Sequence, residues 1–247
     1  IPQYGTTGGS PAGALPDRPS SPKALIIAPM RRSLAGVLRW PAVRLGRLLV
    51  LAAAGAASAV LVWQGTTLAV VGVGVAVYII ALDAIEPISQ DADHPTLRDS
   101  YPRPAGQIRL ALMVGPLLAL VVLTLVGGLM AAVWLRNPGA LLLAGVMAVP
   151  LAVMAATGAV YSTLADITSS RSGDAMLMPE TAGMKSAFKM VFPLLLPTIP
   201  ALTIYWARNA AATQQQVGPA VMRTVLPMMG VALLGLSWLG ELPWWVT

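Results

Sequence analysis

The sequence predicts an all-α, polytopic membrane protein with six transmembrane helices and an N-terminal amphipathic interface helix. Three observations carry that expectation. Hydrophobic residues fill 56% of the 247 positions and charged residues only 11%, against roughly a quarter charged in an ordinary soluble domain. Six apolar runs approach the ~20 residues that a helix needs to cross about 30 Å of hydrocarbon. The 16 Lys and Arg residues gather at the ends of those runs, where bilayer topology places them, and not beside aromatics on one folded face as a nucleic-acid partner would require. The absence of cysteine excludes a disulfide framework, a thiolate metal site and a cysteine nucleophile.

Residues 1–23, rich in Pro, Gly and Ser, have nothing to bury and read as a disordered linker. The chain opens at Ile1 and not at a methionine, so a longer protein is expected, with another domain or membrane half ahead of the linker. Residues 24–47 form the expected interface helix. Within "APMRRSLAGVLRWPAVRLGR", Arg32, Arg39 and Arg47 alternate with Leu34, Val37, Leu38, Val43 and Leu45, and Trp40 and Pro41 interrupt the middle. That pattern suits a basic amphipathic helix in the headgroup region, kinked at the proline; a plain positive flank that fixes topology is the alternative.

The six-helix domain then fills residues 48–247. The first span covers about 48–63 and the second 67–82, joined by Gln64-Gly65-Thr66 as a helical hairpin. The small residues Ala52 to Ala59 allow close approach, either within the chain or at a subunit interface. The third span, 108–134, is long enough to tilt and ends at "LRNPG", where Asn-Pro-Gly supplies a turn. The fourth runs over 140–164 and the fifth over 190–206. Pro193, Pro197 and Pro200 each remove a backbone donor from the fifth and kink it unless packing compensates. The sixth covers 221–239. With the N-terminus in the cytoplasm, thirteen Lys and Arg lie inside and Arg136, Arg208 and Arg223 outside. Both termini are therefore expected to be cytoplasmic.

Chemistry-bearing residues concentrate in "LDAIEPISQDADHPTLRDSYP", residues 82–102. Zinc, nucleotide-phosphate and serine-hydrolase motifs are missing, and one histidine cannot furnish a catalytic zinc site. Neither an enzyme nor a cofactor is expected. Asp83 and Glu86, spaced by three, share a helical face. Inside hydrocarbon they would bind a cation or relay protons; at the interface they would be a hydrated helix end. From Pro87 a short acidic amphipathic helix is expected, its apolar positions Ile85, Ile88 and Ala92, stopped at His94-Pro95. The second polar connection, with Asp166, Arg171, Asp174, Glu180, Lys185 and Lys189, reads as a structural loop.

Two stretches resemble a known group. "LDAIEPISQDADHPTLRDSYPRPAGQIRLALMVGP" is similar to the glutamate-proline, "D-H-P" and later "P-x-x-x-G" pattern of actinobacterial multi-pass proteins that look like permeases of ABC exporters. "SSRSGDAMLMPETAGMKSAFKMVFPLLLPTIPAL" is similar to their "G-D" loop before the fifth span. The layout resembles the type-II exporter permease, and the resemblance implies an elbow helix at 31–47 and a coupling helix from about Glu86 to Arg98. That helix would present Glu86, Gln90, Asp91, Asp93, His94 and Arg98 to a separate nucleotide-binding ATPase subunit in the bacterial plasma membrane. A second six-helix half or a homo-oligomer would complete the transporter, and the proline-kinked fifth span would gate it. Residues 207–224 are shorter than the outer-leaflet helix pair such exporters carry there. An accessory or scaffold subunit and an ion-coupled transporter are the competing expectations.

Overall fold

The computed structural model describes residues 24–86, 88–89, 105–171 and 179–213, with scattered positions between 219 and 234, and every described element is helical. In chain order these are α1 (Ala24–Leu38), α2 (Ala42–Gln64), α3 (Ala69–Ala84), α4 (Ala105–Leu135), α5 (Pro138–Arg171) and α6 (Pro179–Ala212). Among the described residues, four stretches are long and apolar enough to cross a membrane: Ala42–Gln64, Gln107–Leu135, Pro138–Thr163 and Val191–Ala210. That is the composition of a membrane protein. α3 is a shorter apolar helix of 16 residues, about 24 Å of rise. The expected sixth span, 221–239, lies largely outside the described residues.

The basic segment before the first span is divided at Trp40-Pro41. Arg39 and Trp40 close the last turn of α1 by donating to the Gly36 and Val37 carbonyls. Pro41 is extended (φ −64°, ψ 149°) and its carbonyl receives the first amides of α2, from Arg44 and Leu45. A proline fits at a helix start because its missing N–H is not needed there. Residues 42–47 therefore form the opening turns of the 23-residue α2. α1 instead lies on α4, where the buried Ser33 hydroxyl donates to the Leu112 carbonyl at 2.6 Å.

α2 and α3 form an antiparallel hairpin. Gly65 closes α2 in the left-handed region (φ 119°), where an L side chain is strained, and the Thr66 amide reaches back to the Leu61 carbonyl. At the next reversal Asn137 Oδ1 accepts the Gly139 amide at 2.8 Å and caps α5. α5 is the most enclosed element, with every residue from 151 to 160 buried, packed on α4, α6 and α3.

Small residues set the spacing. A Cβ on Gly127 of α4 would stand 3.0 Å from the Ala52 carbonyl, and one on Gly55 of α2 would stand 3.3 Å from Ala76. The Ala52–Ala59 run thus serves packing of α2 within the chain, although Ala54 and Ala57 face outward. Thr124 of α4 bridges to α5 by donating to the Ala148 carbonyl at 3.1 Å, sharing its hydroxyl with Leu120 and Val121. Interhelical bonds of this kind are worth ~0.6 kcal/mol in membranes. Thr124→Val is therefore expected to lower stability by only about 0.5–1 kcal/mol, readable as a small shift in thermal unfolding of the purified protein.

Apolarity marks the bilayer crossing and not the helix end, so α5 and α6 run on past it. Asp166 and Arg171 fall in the last turns of α5, and Glu180, Lys185 and Lys189 in the first turns of α6. These positions were expected in a loop; helical propensity carries the chain through them once the span has nucleated the helix.

Candidate functional site

The hairpin brings the start of α2 against the end of α3, and four charged residues meet there. Arg44 and Arg47 lie one turn apart on α2; Asp83 and Glu86 lie one turn apart at the end of α3. Arg44 Nη1 holds Glu86 Oε2 at 2.5 Å, and Arg47 Nη2 pairs with Asp83 Oδ1. The two ion pairs are unequal. The Arg44 and Asp83 side chains are mostly enclosed, whereas Glu86 is about half exposed and Arg47 more so, so solvent screens one partner of each pair.

Arg44 does more than pair with a carboxylate. Its Nη2 also donates to the Asp83 backbone carbonyl. In an unbroken helix that carbonyl would accept the amide four residues on, but residue 87 is proline and has no N–H to give. The guanidinium thus supplies the donor that Pro87 withholds. Its flat face stacks on Trp40, with Cζ 4.6 Å from the ring centroid. One side chain ties the α1–α2 joint, the end of α3 and the beginning of the acidic segment. Arg44 Nε and Asp83 Oδ2 are enclosed without a hydrogen-bond partner among the described residues. The four groups border an open cleft of about 510 Å³ together with Pro41, Val43, Leu82 and Ser89.

Past α3 the backbone keeps turning. Ile85 donates to Ala81, and Ile88 and Ser89 donate to Ile85, while the Ser89 hydroxyl donates to the Glu86 carbonyl. Ile85 and Ile88 are buried, which anchors this turn to the bundle and leaves Glu86 at its outer face. The remaining expected coupling residues, Gln90, Asp91, Asp93, His94 and Arg98, lie outside the described residues. Asp83 and Glu86 are brought together, but each already has a guanidinium against it. A cation at this place would share these carboxylates with two guanidiniums and meet their positive charge.

The three prolines of the fifth span lie in α6, which stays helical through all of them. Pro193, Pro197 and Pro200 are buried. Pro197 deprives the Pro193 carbonyl of its donor, and that carbonyl faces Gly158 of α5 so closely that a Cβ there would stand 2.6 Å from it. On the other side Gly74 of α3 meets Thr198, whose Cα would be 3.0 Å from a Cβ at 74. Thr198 and Thr203 donate to the Leu194 and Pro200 carbonyls, and Thr203 also reaches Met147 Sδ at 3.0 Å. Tyr161 meets Phe192 edge to face, centroids 5.4 Å apart. The proline segment is thus gripped between α3 and α5 where its own ladder is weakest.

Among the described residues, no three His, Asp or Glu side chains converge as metal ligands. Sequence reasoning marked Asp83, Glu86 and the prolines but missed Arg44 and Arg47 as their partners and Gly158 and Gly74 as the glycines that admit α6. No family model, curated protein or solved structure matches the chain.

Proposed function

We propose that the chain is the transmembrane permease subunit of an ABC-type exporter, moving a substrate across the membrane when a separate nucleotide-binding subunit hydrolyses ATP. The observation that supports this reading is the clamp at the end of α3. Residues 86–98 would be the segment that meets the ATPase, and their root at Glu86 is tied through Arg44 to both α2 and the Trp40 joint. A pull on that segment would reach α1, α2 and α3 together and would not be absorbed by a loose loop. α6, with its proline-weakened ladder, would be the element that yields. The Lys and Arg distribution supports cytoplasmic termini; on this reading the membrane is the bacterial plasma membrane, and a second six-helix half or a second copy completes the pathway.

An accessory subunit that uses its helices only for packing is the second reading. It is favoured by the internal pairing of Asp83 and Glu86, in which one oxygen of each carboxylate is held by an arginine of the same chain. The same pairing disfavours the ion-coupled transporter. Purification from native membranes with identification of co-purifying chains separates the readings. An ATPase subunit is expected to accompany the wild-type chain and to be lost when Glu86, Asp91 and Asp93 are replaced together by Ala. An ATPase that never co-purifies, or one that stays bound to the triple variant with transport intact, refutes the coupling role.

A further inference from the structure

We infer that the bundle holds one acyl chain of a leaflet phospholipid in an internal slot between α2, α3, α4 and α5, a site that stands whether or not an ATPase partner exists. The slot has a free volume of about 80 Å³, several times the ~10–15 Å³ that one water needs. Its upper end is bounded by Trp63, Leu135 and Ala140, beside the α2–α3 and α4–α5 turns, and its base by Leu51, Leu123 and Leu151. Three helices give the same depth. From Leu51 to Trp63 and from Leu123 to Leu135 is 12 residues each, and from Ala140 to Leu151 is 11, so the slot runs about 16–18 Å along the helix axes. Half of a ~30 Å hydrocarbon core is about 15 Å, so the slot is as deep as one leaflet. Spread over that length, a volume of about 80 Å³ describes a slender slot, which suits a polymethylene chain better than a ring system.

The chemistry of the lining points the same way. Among the described lining residues the polar side chains are the Trp63 indole at the mouth and Thr124, whose hydroxyl is engaged with the Leu120, Val121 and Ala148 carbonyls. Among the described residues no side chain in the slot offers a water the two or more partners that would hold it there, and none carries a charge for a charged ligand. An apolar volume in a membrane span borders a solvent that is itself acyl chain. Trp63 is half-buried at the end beside the turn, the level at which an indole meets headgroup and glycerol, so the lipid enters tail first and leaves its polar end at the interface.

The test uses the full chain, loaded with palmitoyl-oleoyl phosphatidylglycerol, exchanged into mild detergent and weighed by native mass spectrometry. One retained phospholipid per chain is expected. Ala59→Leu and Ala140→Leu fill the slot from different helices and are each expected to cut occupancy roughly tenfold or more, since a filled pocket admits a chain only by strain. Leu61→Ala, on the exposed side of α2, should retain lipid as the wild type does. A second readout needs no filled variant: when the retained lipid carries a brominated tail, the fluorescence difference between wild type and Trp63→Phe should collapse. The inference is overturned if the wild type retains only detergent, if a folded filled variant keeps the lipid at the wild-type level, or if the brominated tail leaves Trp63 unquenched.

Discussion

Gly158→Ala is expected to destabilise the bundle by ~3 kcal/mol or more, the upper part of the range for overpacking a well-filled interior. The added methyl would stand 2.6 Å from the Pro193 carbonyl oxygen and 3.3 Å from the same residue's carbonyl carbon and Cα. These are backbone atoms of a helix, so no side-chain rotation relieves the clash. α5 and α6 must separate, and with them go the edge-to-face contact of Tyr161 with Phe192 and the Thr203 bond to Met147 across the same interface. Gly145 on the same helix is the internal control, because a Cβ there meets nothing within 4 Å. Gly145→Ala should be neutral or stabilising by up to ~1 kcal/mol, the intrinsic helix preference of alanine over glycine. The check is the thermal midpoint of the detergent-purified protein followed by circular dichroism. Gly158→Ala should lower it by roughly 6–12 °C and Gly145→Ala should not. Equal midpoints for the two variants would mean that the α5–α6 contact is not tight at Gly158.

What the sequence discloses of this contact is limited by kind. Apolar runs reveal which segments favour hydrocarbon, and α4 and the apolar part of α5 were legible on that basis. They do not reveal helix ends, because water and headgroups tolerate a continuing helix; α5 and α6 are 34 residues each, well beyond their apolar stretches. Three prolines in one span predicted kinks. The helix runs on through all three, packed against Gly74 of α3 and Gly158 of α5. Which glycines are contact points could not be read from composition, since Gly145 and Gly158 look alike in sequence and only one faces a neighbour.

The charge cluster was more legible than its pieces suggested. Arg47 and Asp83 each lie 18 residues from Gly65, and Arg44 and Glu86 each lie 21 from it. An antiparallel hairpin closed at Gly65 therefore sets each arginine at the level of its carboxylate. Placing Arg44 and Arg47 in an interface helix that ends at residue 47, or in a positive flank, hides the register, because the first span then starts after both of them. Once Pro41 sets the start of α2, the two arginines become helical residues with a defined face.

Arg44→Ala is the second large expected effect, a loss of about 2–4 kcal/mol. A hydrogen bond to a charged group is worth ~1.5–3 kcal/mol and stacking on an aromatic ring ~0.5–1 kcal/mol at an exposed site. The half-exposed Glu86 contributes the smaller part, and the larger comes from the Asp83 carbonyl, whose partner amide four residues on is missing at Pro87. Arg44→Lys should recover less than half of the loss. An ammonium can meet Glu86, but it lacks the planar fork that serves the carboxylate and the carbonyl at once and cannot stack flat on Trp40. A double-mutant cycle with Glu86→Gln separates the parts. If the carbonyl cap dominates, the coupling energy between Arg44 and Glu86 should stay near ~0.5–1 kcal/mol while Arg44→Ala remains severe in the Glu86→Gln background. If the whole cost of Arg44→Ala instead vanishes in that background, the ion pair and not the cap holds the end of α3. The clamp would then loosen with added salt, which screens an exposed pair but leaves a capped carbonyl intact.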